Sequence, residues 1–161
     1  MRRIVVMISL LAVTLSGVML TASAQDAPTP EERAAASVLT RKSLFRVLAF
    51  NLGPIAGMAQ GAPFNAEIAE RNARRIAMLG TMIPEVLAQD TSAFDSIETT
   101  ALDSIWDNQG DIATKAQALI DNANAFADIA AEGNMSATLG AFRQLGGSCG
   151  NCHDTYRVDN D

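Results

Sequence analysis

The sequence predicts an all-α protein folded as an antiparallel four-helix bundle. Ala, Leu, Ile and Met are abundant, whereas aromatic residues make up only 5% of the 161 residues. No stretch alternates β-branched and polar residues as a half-buried strand would, and the apolar residues recur instead at spacings of three and four. Breaks rich in Gly, Pro, Asp or Ser divide these periodic segments into four helices.

The N-terminal segment has the features of a secretory signal peptide. Met1-Arg2-Arg3 is followed by an apolar run to Leu20 and then by Ala22-Ser23-Ala24, the small residues that a signal peptidase requires. A retained membrane anchor is the alternative, but polar residues and a glycine interrupt the run. We expect cleavage after Ala24, so that residues 25–161 form a single domain with one core and no membrane segment.

The charge excludes two classes of partner. The formal net charge of −6 becomes −8 when Arg2 and Arg3 are removed, because residues 1–24 contain no acidic side chain. A surface this acidic argues against nucleic acid and anionic membranes as partners. Both cysteines lie in one C-x-x-C unit, so no disulfide can link distant parts of the chain. A packed core or a cofactor must therefore hold the fold together.

The first helix is predicted to begin near Pro30, since Thr29 offers an N-cap and Glu32 completes a capping box. Gly53-Pro54 should kink the helix or end it. Its inward stripe consists of Val38, Arg41, Phe45, Leu48, Leu52 and Ile55.

The second helix is predicted to start at the Asn65 cap and to be limited by Pro84. It should carry Ile68, Ile76, Leu79 and Ile83 inward. Residues 89–108 are rich in Asp, Ser and Thr, so we expect a long connection there, with Trp106 as a packing aromatic.

The last two helices are separated by Gly133, with Asn134 as the next N-cap. The third helix has the clearest apolar period, formed by Ile112, Ala116, Leu119, Ala123, Phe126 and Ala130. The fourth repeats every seven residues through Met135, Phe142, Cys149 and Tyr156, with Leu139 and His153 in the companion position.

Cys149-Gly150-Asn151-Cys152-His153 is the attachment signature of c-type haem. Residues three apart on a helix lie on the same side about one turn apart, so the two sulfurs can reach two vinyl groups on one porphyrin edge. The next residue is turned by about 100°, which can bring the His153 imidazole beneath the iron. We therefore predict one haem c, bound covalently through Cys149 and Cys152, with His153 as the proximal iron ligand.

Two other functions of a C-x-x-C motif, a redox pair and a zinc site, fit this sequence less well. A thioredoxin-like redox pair requires a βαβ context that this sequence lacks. A zinc site needs about four ligands, and this region offers two cysteines and the only histidine of the chain. The position of the motif near the C-terminus means that any distal group must come from upstream. The single histidine also excludes bis-histidine ligation within one chain.

The chain resembles the cytochrome c prime family, four-helix-bundle haem proteins of the bacterial periplasm. The resemblance covers nearly the whole mature chain and includes Arg41-Lys42-Ser43-Leu44-Phe45 and the motif followed by Asp154-Thr155-Tyr156-Arg157. It implies a haem in the bundle core, with histidine on the proximal side and the first helix on the distal side. It also implies a periplasmic location and, commonly, a homodimer.

The residue four after the early arginine determines the subtype in that family. An apolar residue there, often leucine, accompanies five-coordinate iron, whereas low-spin relatives place a ligating methionine. Phe45 occupies the position here and cannot ligate iron, so the resemblance implies a five-coordinate, high-spin site.

The alternative is a six-coordinate, low-spin electron carrier with a distal methionine. Met58 lies 13 residues beyond Phe45, or about 20 Å along a continuous helix, and should miss the iron. Met78, Met82 and Met135 are predicted to fill the core.

Two arginines have open roles at this stage. Arg41 on a buried stripe requires a partner, which could be a haem propionate or a salt bridge to Glu31, Glu32 or another bundle acid. Arg157 resembles the family's proximal arginine, and it is also placed to interact with the dipole at a helix end.

Two functions remain compatible with the sequence. An open distal position in an apolar pocket would bind nitric oxide or carbon monoxide, and reversible iron redox chemistry would serve electron transfer with a partner that the sequence does not identify. Peroxidase-like catalysis would require a polar distal acid or base, and Phe45 provides neither. We therefore do not expect an enzyme.

Overall fold

The computed structural model describes residues 27–158, and the predicted signal peptide lies outside them. Within that range the protein is helical, and its only strand-like pairing is a single bridge between Ala101 and Arg157. None of its helices is both long enough and apolar enough to span a membrane. The helices are α1 (Pro30–Ala59), α2 (Ala66–Gly80), α3 (Ile83–Val86), α4 (Ser104–Asp107), α5 (Gln109–Ala131) and α6 (Met135–Tyr156).

The four long helices α1, α2, α5 and α6 form the predicted bundle. Short turns join α1 to α2 and α5 to α6, and each contains a glycine with a positive φ angle, Gly61 at 101° and Gly133 at 74°. Arg74 of α2 contacts Asp128 of α5, whereas Gly80 faces Ile120. Those two helices therefore run antiparallel, and both short turns lie at one end of the bundle, which we call the turn end.

The predicted N-caps are confirmed. The Thr29 N–H donates to Glu32 Oε2 at 2.7 Å and the Glu32 N–H donates to Thr29 Oγ1 at 3.2 Å. Asn65 accepts from the Ile68 N–H at 2.9 Å, and Asn134 accepts from the Ala137 N–H at 3.1 Å. Each bond satisfies a backbone donor that the first helical turn leaves without an internal partner.

The core between α2 and α5 is built from small residues and a few large ones. All six predicted inward positions of α5 are buried, and the Phe126 side chain is only 1% exposed. The Gly80 backbone lies so close to α5 that a Cβ atom there would approach Ile120 Cγ1 to 2.9 Å. The buried alanines that allow α2 and α5 to pack closely are Ala69, Ala73, Ala77, Ala123 and Ala127.

One helix boundary differs from the predictions, and another is decided between two alternatives. Of the kink or end predicted at Gly53-Pro54, the end does not occur: α1 continues to Ala59 because Ile55 and Met58 beyond the proline are buried and extend the packed stripe. The second helix ends at Gly80, so Ile83 begins the separate short helix α3. Ile83 is nevertheless buried, as predicted.

The methionine assignments were wrong. Met78, Met82 and Met135 are exposed by 66%, 43% and 53%, so none of them fills the core. Met78 follows the buried Ala77 and therefore points away from α5. Met135 occupies the first position of α6, beyond the packed region. Of the predicted repeat in α6, Tyr156 is buried and Phe142 and Cys149 pack partly buried against the core, so only Met135 departs from it. The buried residues Thr138 and Leu145 of α6 were not predicted.

The connection between α3 and α5 is anchored to the end of α6. The Leu102 N–H donates to the Tyr156 carbonyl at 3.0 Å, and the Val158 N–H donates to the Thr100 carbonyl at 2.8 Å. Trp106 Nε1 donates to the Gln89 carbonyl at 2.9 Å. The predicted long connection is therefore held over the end of the bundle opposite the short turns. We call that end the motif end, because it contains the C-x-x-C-H segment.

Candidate functional site

The motif end contains two adjoining cavities, with volumes of about 130 Å³ and 270 Å³. Five side chains line both cavities, namely Phe45 and Ala49 of α1, Ile112 of α5, and Cys152 and His153 of α6. Cys149 lines the first cavity. The fold thus brings all three chemically active residues of the motif to one shared space, opposite the predicted distal residue.

The two cavities differ in polarity. The walls of the first are mostly aliphatic, supplied by Leu48, Leu52, Ile76, Ile83, Ala116 and Leu119 in addition to the shared residues. The second has an apolar floor that includes Leu87 and Ile105, and polar groups at its edge from Arg41, Thr99, Thr100, Tyr156 and Arg157. The first cavity is therefore mainly apolar, with Lys115 as a cationic side chain in its wall, and the second carries two arginines.

The two cysteines are free thiols in a partly buried setting. Burial raises the pKa of both thiols, because the apolar surroundings disfavour the thiolate. Neither sulfur is committed to a disulfide, and both face cavity walls built mainly from carbon. These thiols are accessible for bond formation with a group held in the first cavity.

His153 is half-buried and presents a neutral imidazole. Burial lowers its pKa, and the Arg157 charge acts in the same direction, whereas Asp154 opposes the shift. A neutral imidazole keeps the nitrogen lone pair that ligation of a metal requires. The arrangement therefore favours His153 as a ligand at neutral pH.

Phe45 faces His153 across the shared part of the cavities. The two ring centroids are 6.5 Å apart, with an interplanar angle of 66°. None of the four mature methionines lines either cavity. Met58, the only buried one, accepts a hydrogen bond on its sulfur from the Asn65 N–H at 3.2 Å. The side of the cavity opposite His153 is thus formed by a phenyl ring rather than by a potential iron ligand.

Arg41 is a buried cation whose hydrogen-bonding capacity is only partly used. Its side chain donates to Thr91 Oγ1 at 3.2 Å and to Thr99 Oγ1 at 3.4 Å, and its guanidinium carbon lies 5.7 Å from the centroid of the Trp106 ring. Nη1 is buried without a hydrogen-bond partner. Burial lowers the pKa of Arg41, but a guanidinium remains charged.

The alternative partners for Arg41 are not observed. Within residues 27–158 no carboxylate forms a salt bridge with it. Glu31 instead accepts from Ser96 Oγ at 2.5 Å, and Glu32 belongs to the α1 capping box. A buried, unpaired N–H donor carrying a positive charge is costly. Its position in the wall of the second cavity fits an anionic group bound there.

Arg157 also lines the second cavity and is exposed. It is the C-cap residue of α6, and its N–H donates to the His153 carbonyl at 3.0 Å. The bridge to Ala101 fixes its backbone beside the connection. Its cationic side chain is therefore available at the solvent edge of the cavity.

These donors match the chemical features of haem. Haem combines an apolar macrocycle and two vinyl groups with two carboxylates, and the cavity combines aliphatic walls and two free thiols with an unpaired buried arginine donor. The neutral imidazole supplies an iron ligand. The residues present therefore fit a covalently attached haem.

Several residues that line the cavities or contact Arg41 were not identified from the sequence. Thr91 and Thr99 lie in the irregular connection, where no periodicity indicates which side chains turn inward. Lys115 could have been identified from the sequence as a residue near the core. It is the only basic residue between Arg75 and Arg143, and it lies one helical turn from the inward-facing Ile112 and next to Ala116.

Known proteins are similar to this chain in sequence. The family model described as Cytochrome C' matches residues 36–157. Cytochrome c-554 of Cereibacter sphaeroides is 34% identical over 149 residues, covering 91% of this chain and 94% of that protein.

Two solved structures extend the comparison to the fold. Cytochrome c prime from Rhodobacter sphaeroides has a TM-score of 0.71 at 32% identity, covering 79% of this chain and 98% of that one. A ferrous variant of cytochrome c prime from Alcaligenes xylosoxidans with bound NO has a TM-score of 0.67 at 25% identity, covering 78% and 97%. The chain therefore belongs to the cytochrome c prime family, whose members bind covalent haem c.

Proposed function

We propose that this protein is a periplasmic haem protein that binds diatomic gases, nitric oxide and carbon monoxide, at five-coordinate, high-spin iron. The observation that carries this proposal is the pairing of Phe45 with His153 across the shared cavity. One side of the cavity offers an iron ligand and the other offers only a hydrocarbon ring. A small neutral molecule would be the natural occupant of the remaining coordination position.

The residues of the motif would hold the cofactor. Each thiol, Cys149 and Cys152, would add its S–H across one vinyl double bond, forming an S–C bond while the hydrogen goes to the other vinyl carbon, without any oxidant. His153 would supply the proximal ligand. Haem, when bound, provides an iron centre that binds gases and cycles between ferric and ferrous states.

The two arginines would compensate the propionate charges. Arg41 is 3% exposed and has a free donor at Nη1, so a carboxylate in the second cavity would satisfy it in a medium of low dielectric. Arg157 is exposed, so its contribution should be smaller because solvent screens it. Arg41 is thus the stronger of the two anchors.

Phe45 would control access to the distal side. A bulky apolar ring disfavours a bound water molecule there, and it must move before a gas reaches the iron, so we expect slow association. The NO-bound relative supports gas binding by this fold. The absence of methionine from the cavity walls formed by residues 27–158 counts against the low-spin alternative.

Electron transfer is the second candidate function. The second cavity is bordered by the exposed residues Thr100 and Arg157, so a group bound there would approach the surface where a redox partner docks. We propose no catalytic activity, because Phe45, the side chain that faces His153, offers neither an acid nor a base.

We also propose that the mature protein is a homodimer. Large apolar side chains remain exposed on α1 and α2, including Leu39 at 62% and Phe50 at 74%. Leu39 and Phe50 are eleven residues apart and therefore lie on the same side of α1, and we propose that a second copy covers this side. Sedimentation should show a dimer, and a monomer independent of concentration would remove this part of the proposal.

Gas binding is tested on protein matured in a periplasm. Acid–acetone extraction should leave the pigment on the denatured chain, and titration of the ferrous protein with carbon monoxide should change the Soret band with a stoichiometry of one gas per chain. Extractable pigment would contradict covalent attachment. A ferrous spectrum that carbon monoxide does not alter would contradict the open coordination position.

A further inference from the structure

One cation lies in the wall of the otherwise apolar first cavity. Among the side chains of residues 27–158 that line this cavity, Lys115 is the only one that carries a charge beside the neutral His153. The Lys115 side chain is only 16% exposed, and lysines are rarely buried to this extent without a partner. Because little of this side chain contacts water, its charge acts on any group that the cavity holds.

Two polar contacts hold the Lys115 ammonium beside the attachment motif. Nζ donates to Asn151 Oδ1 at 2.8 Å, and Asn151 lies between the two cysteines of the motif. Nζ also lies 3.7 Å from Asp111 Oδ2, one helical turn earlier in α5. Asp111 Oδ2 in turn accepts from the Tyr156 hydroxyl at 2.6 Å. The ammonium is therefore fixed at the edge of the cavity where haem would be attached.

The two charges of the Lys115–Asp111 pair are not equally close to the cavity. Lys115 lines the first cavity, whereas Asp111 lines neither the first nor the second. The Asp111 side chain is also more exposed, at 46%, so water screens its charge more strongly. The pKa of the Cys152 thiol follows the same order: burial raises it most, and the lowering by Lys115 exceeds the raising by Asp111. The pair therefore presents its positive end to the cavity.

The other two cations of the site have a different position. Arg41 and Arg157 line the second cavity and not the first, and the proposed function pairs them with the haem propionates. The vinyl groups lie on the half of haem opposite the propionates. A haem attached through Cys149 and Cys152 would therefore place no carboxylate beside Lys115, so the positive charge there would not be neutralised by the cofactor.

Resting on the proposed haem attachment, we propose that the Lys115–Asp111 pair tunes the reduction potential of the iron, with Lys115 raising it and Asp111 partly offsetting the increase. Reduction takes one electron from a donor and lowers the charge of the haem by one unit. A nearby cation therefore stabilises the ferrous state relative to the ferric state, and an anion does the opposite. Because carbon monoxide binds ferrous iron, the pair also determines the fraction of protein that is able to bind it at a given ambient potential.

The test uses holoprotein matured in a periplasm, with substitutions that change charge but little else. Lys115→Gln removes the positive charge and keeps a donor for Asn151, whereas Lys115→Arg keeps both the charge and a donor. Asp111→Asn removes the negative charge and keeps an acceptor for the Tyr156 hydroxyl. Spectroelectrochemical titration of the haem absorbance measures the reduction potential of each variant.

A second ion pair provides matched controls. Arg74 of α2 lies 2.5 Å from Asp128 of α5 and, like the Lys115–Asp111 pair, is partly exposed, but neither residue lines either cavity. Arg74→Gln and Asp128→Asn change the net charge of the protein by the same amounts as Lys115→Gln and Asp111→Asn. Their effects therefore measure the contribution of net charge alone.

The expected shifts have opposite signs. Lys115→Gln should move the ferric/ferrous equilibrium about tenfold toward ferric iron, which is a fall of about 59 mV for a one-electron couple. Asp111→Asn should raise the potential, by a smaller amount because the carboxylate is farther from the cavity and better screened. Lys115→Arg should stay close to wild type, and both control variants should leave the potential unchanged.

The signs separate an effect of charge from a loss of structural support. A loosened contact between α5 and α6 would expose the haem to water, which favours the ferric charge, so both Lys115→Gln and Asp111→Asn would then lower the potential. That result, an unchanged potential in Lys115→Gln, or an equal fall in Arg74→Gln would overturn the proposal. If Lys115→Gln does not accumulate, the absence of a rise in Asp111→Asn would overturn it.

Failure of the proposed function gives a different result. A wild-type protein without covalent haem would refute the proposed function and this inference with it. Normal haem attachment in every variant, with no shift in potential, would overturn the inference alone.

Discussion

The turn end and the motif end of this bundle are built from the same four helices, but their cores differ. At the turn end, Ala69 and Ala73 of α2 and Ala127 and Ala130 of α5 are buried, and Phe126 is fully enclosed. At the motif end, Phe45, Cys149, Cys152 and His153 are only partly buried and border two cavities. The local size of the side chains, rather than the topology, determines where the bundle closes.

The difference separates stability from function along the length of the bundle. Complete burial at the turn end fixes the helix positions through close packing. The motif end places a free donor of Arg41 and the motif side chains around a shared space. Substitutions at the turn end should therefore change stability without changing ligand chemistry, and substitutions at the motif end should change the chemistry.

Removal of both attachment points should have the largest effect. In the double variant Cys149→Ala/Cys152→Ala, we expect no covalent pigment and a poorly folded chain, because the motif end forms its core around the cofactor. Absorbance after denaturing extraction and circular dichroism measure the two effects. A stable, fully helical apoprotein would show that the motif end folds without haem.

Phe126→Ala tests the turn end. Truncation of a fully buried phenylalanine leaves a cavity and should reduce the free energy of unfolding by about 3–5 kcal/mol. Carbon monoxide binding should remain at the wild-type rate, since Phe126 lines neither cavity. Denaturant unfolding of the holoprotein and stopped-flow binding provide the measurements. A changed rate of carbon monoxide binding would contradict the proposed separation of stability at the turn end from ligand chemistry at the motif end.

Phe45→Ala is the matched substitution at the motif end. The free energy of unfolding should fall by less than the roughly 3–5 kcal/mol of a fully buried phenylalanine, because Phe45 is partly exposed. Carbon monoxide should bind faster, since the ring no longer has to move. Phe45→Met should supply a sulfur ligand and convert the iron to low spin. Equal association rates in wild type and Phe45→Ala would exclude Phe45 as the distal barrier.

The smallest expected effect concerns Tyr156, the only tyrosine of the chain. Its pKa is raised from 10.0 to about 12, mainly by the hydrogen bond to Asp111. Because the folded state holds this proton more tightly, the stabilisation is fully present below pH 10 and is lost as the pH rises through about 12. Near-ultraviolet titration, with Tyr156→Phe subtracted, measures the pKa. Asp111→Asn should lower it toward the ordinary value, and an unchanged pKa would contradict the assigned bond.

Local signals in the sequence predicted much of the fold. The caps at Thr29, Asn65 and Asn134 depend on side chains three residues from their partners, and the α5 stripe follows from a regular period. Pro54 left open whether α1 ends or continues, since the burial of Ile55 beyond it cannot be read from a proline alone. Met78 was misleading because hydrophobicity alone does not identify the buried face.

The site was predicted where chemistry is encoded in contiguous residues and missed where it depends on tertiary contacts. The C-x-x-C-H segment identifies Cys149, Cys152 and His153 by spacing alone. The contacts of Arg41 with Thr91 and Thr99 join residues about 50 positions or more apart through an irregular connection. No periodic pattern reports such contacts. The structure was therefore needed to show that Arg41 keeps an unpaired buried donor.

The coordination state of the resting iron tests the central claim most directly. Resonance Raman and absorption spectra of wild-type ferrous protein, with and without carbon monoxide, report the number of axial ligands. With Phe45 opposite His153, the spectra should show five-coordinate, high-spin iron that converts to a six-coordinate carbon monoxide complex. A six-coordinate, low-spin spectrum that carbon monoxide leaves unchanged would show that an internal ligand occupies the distal position, and would contradict this account.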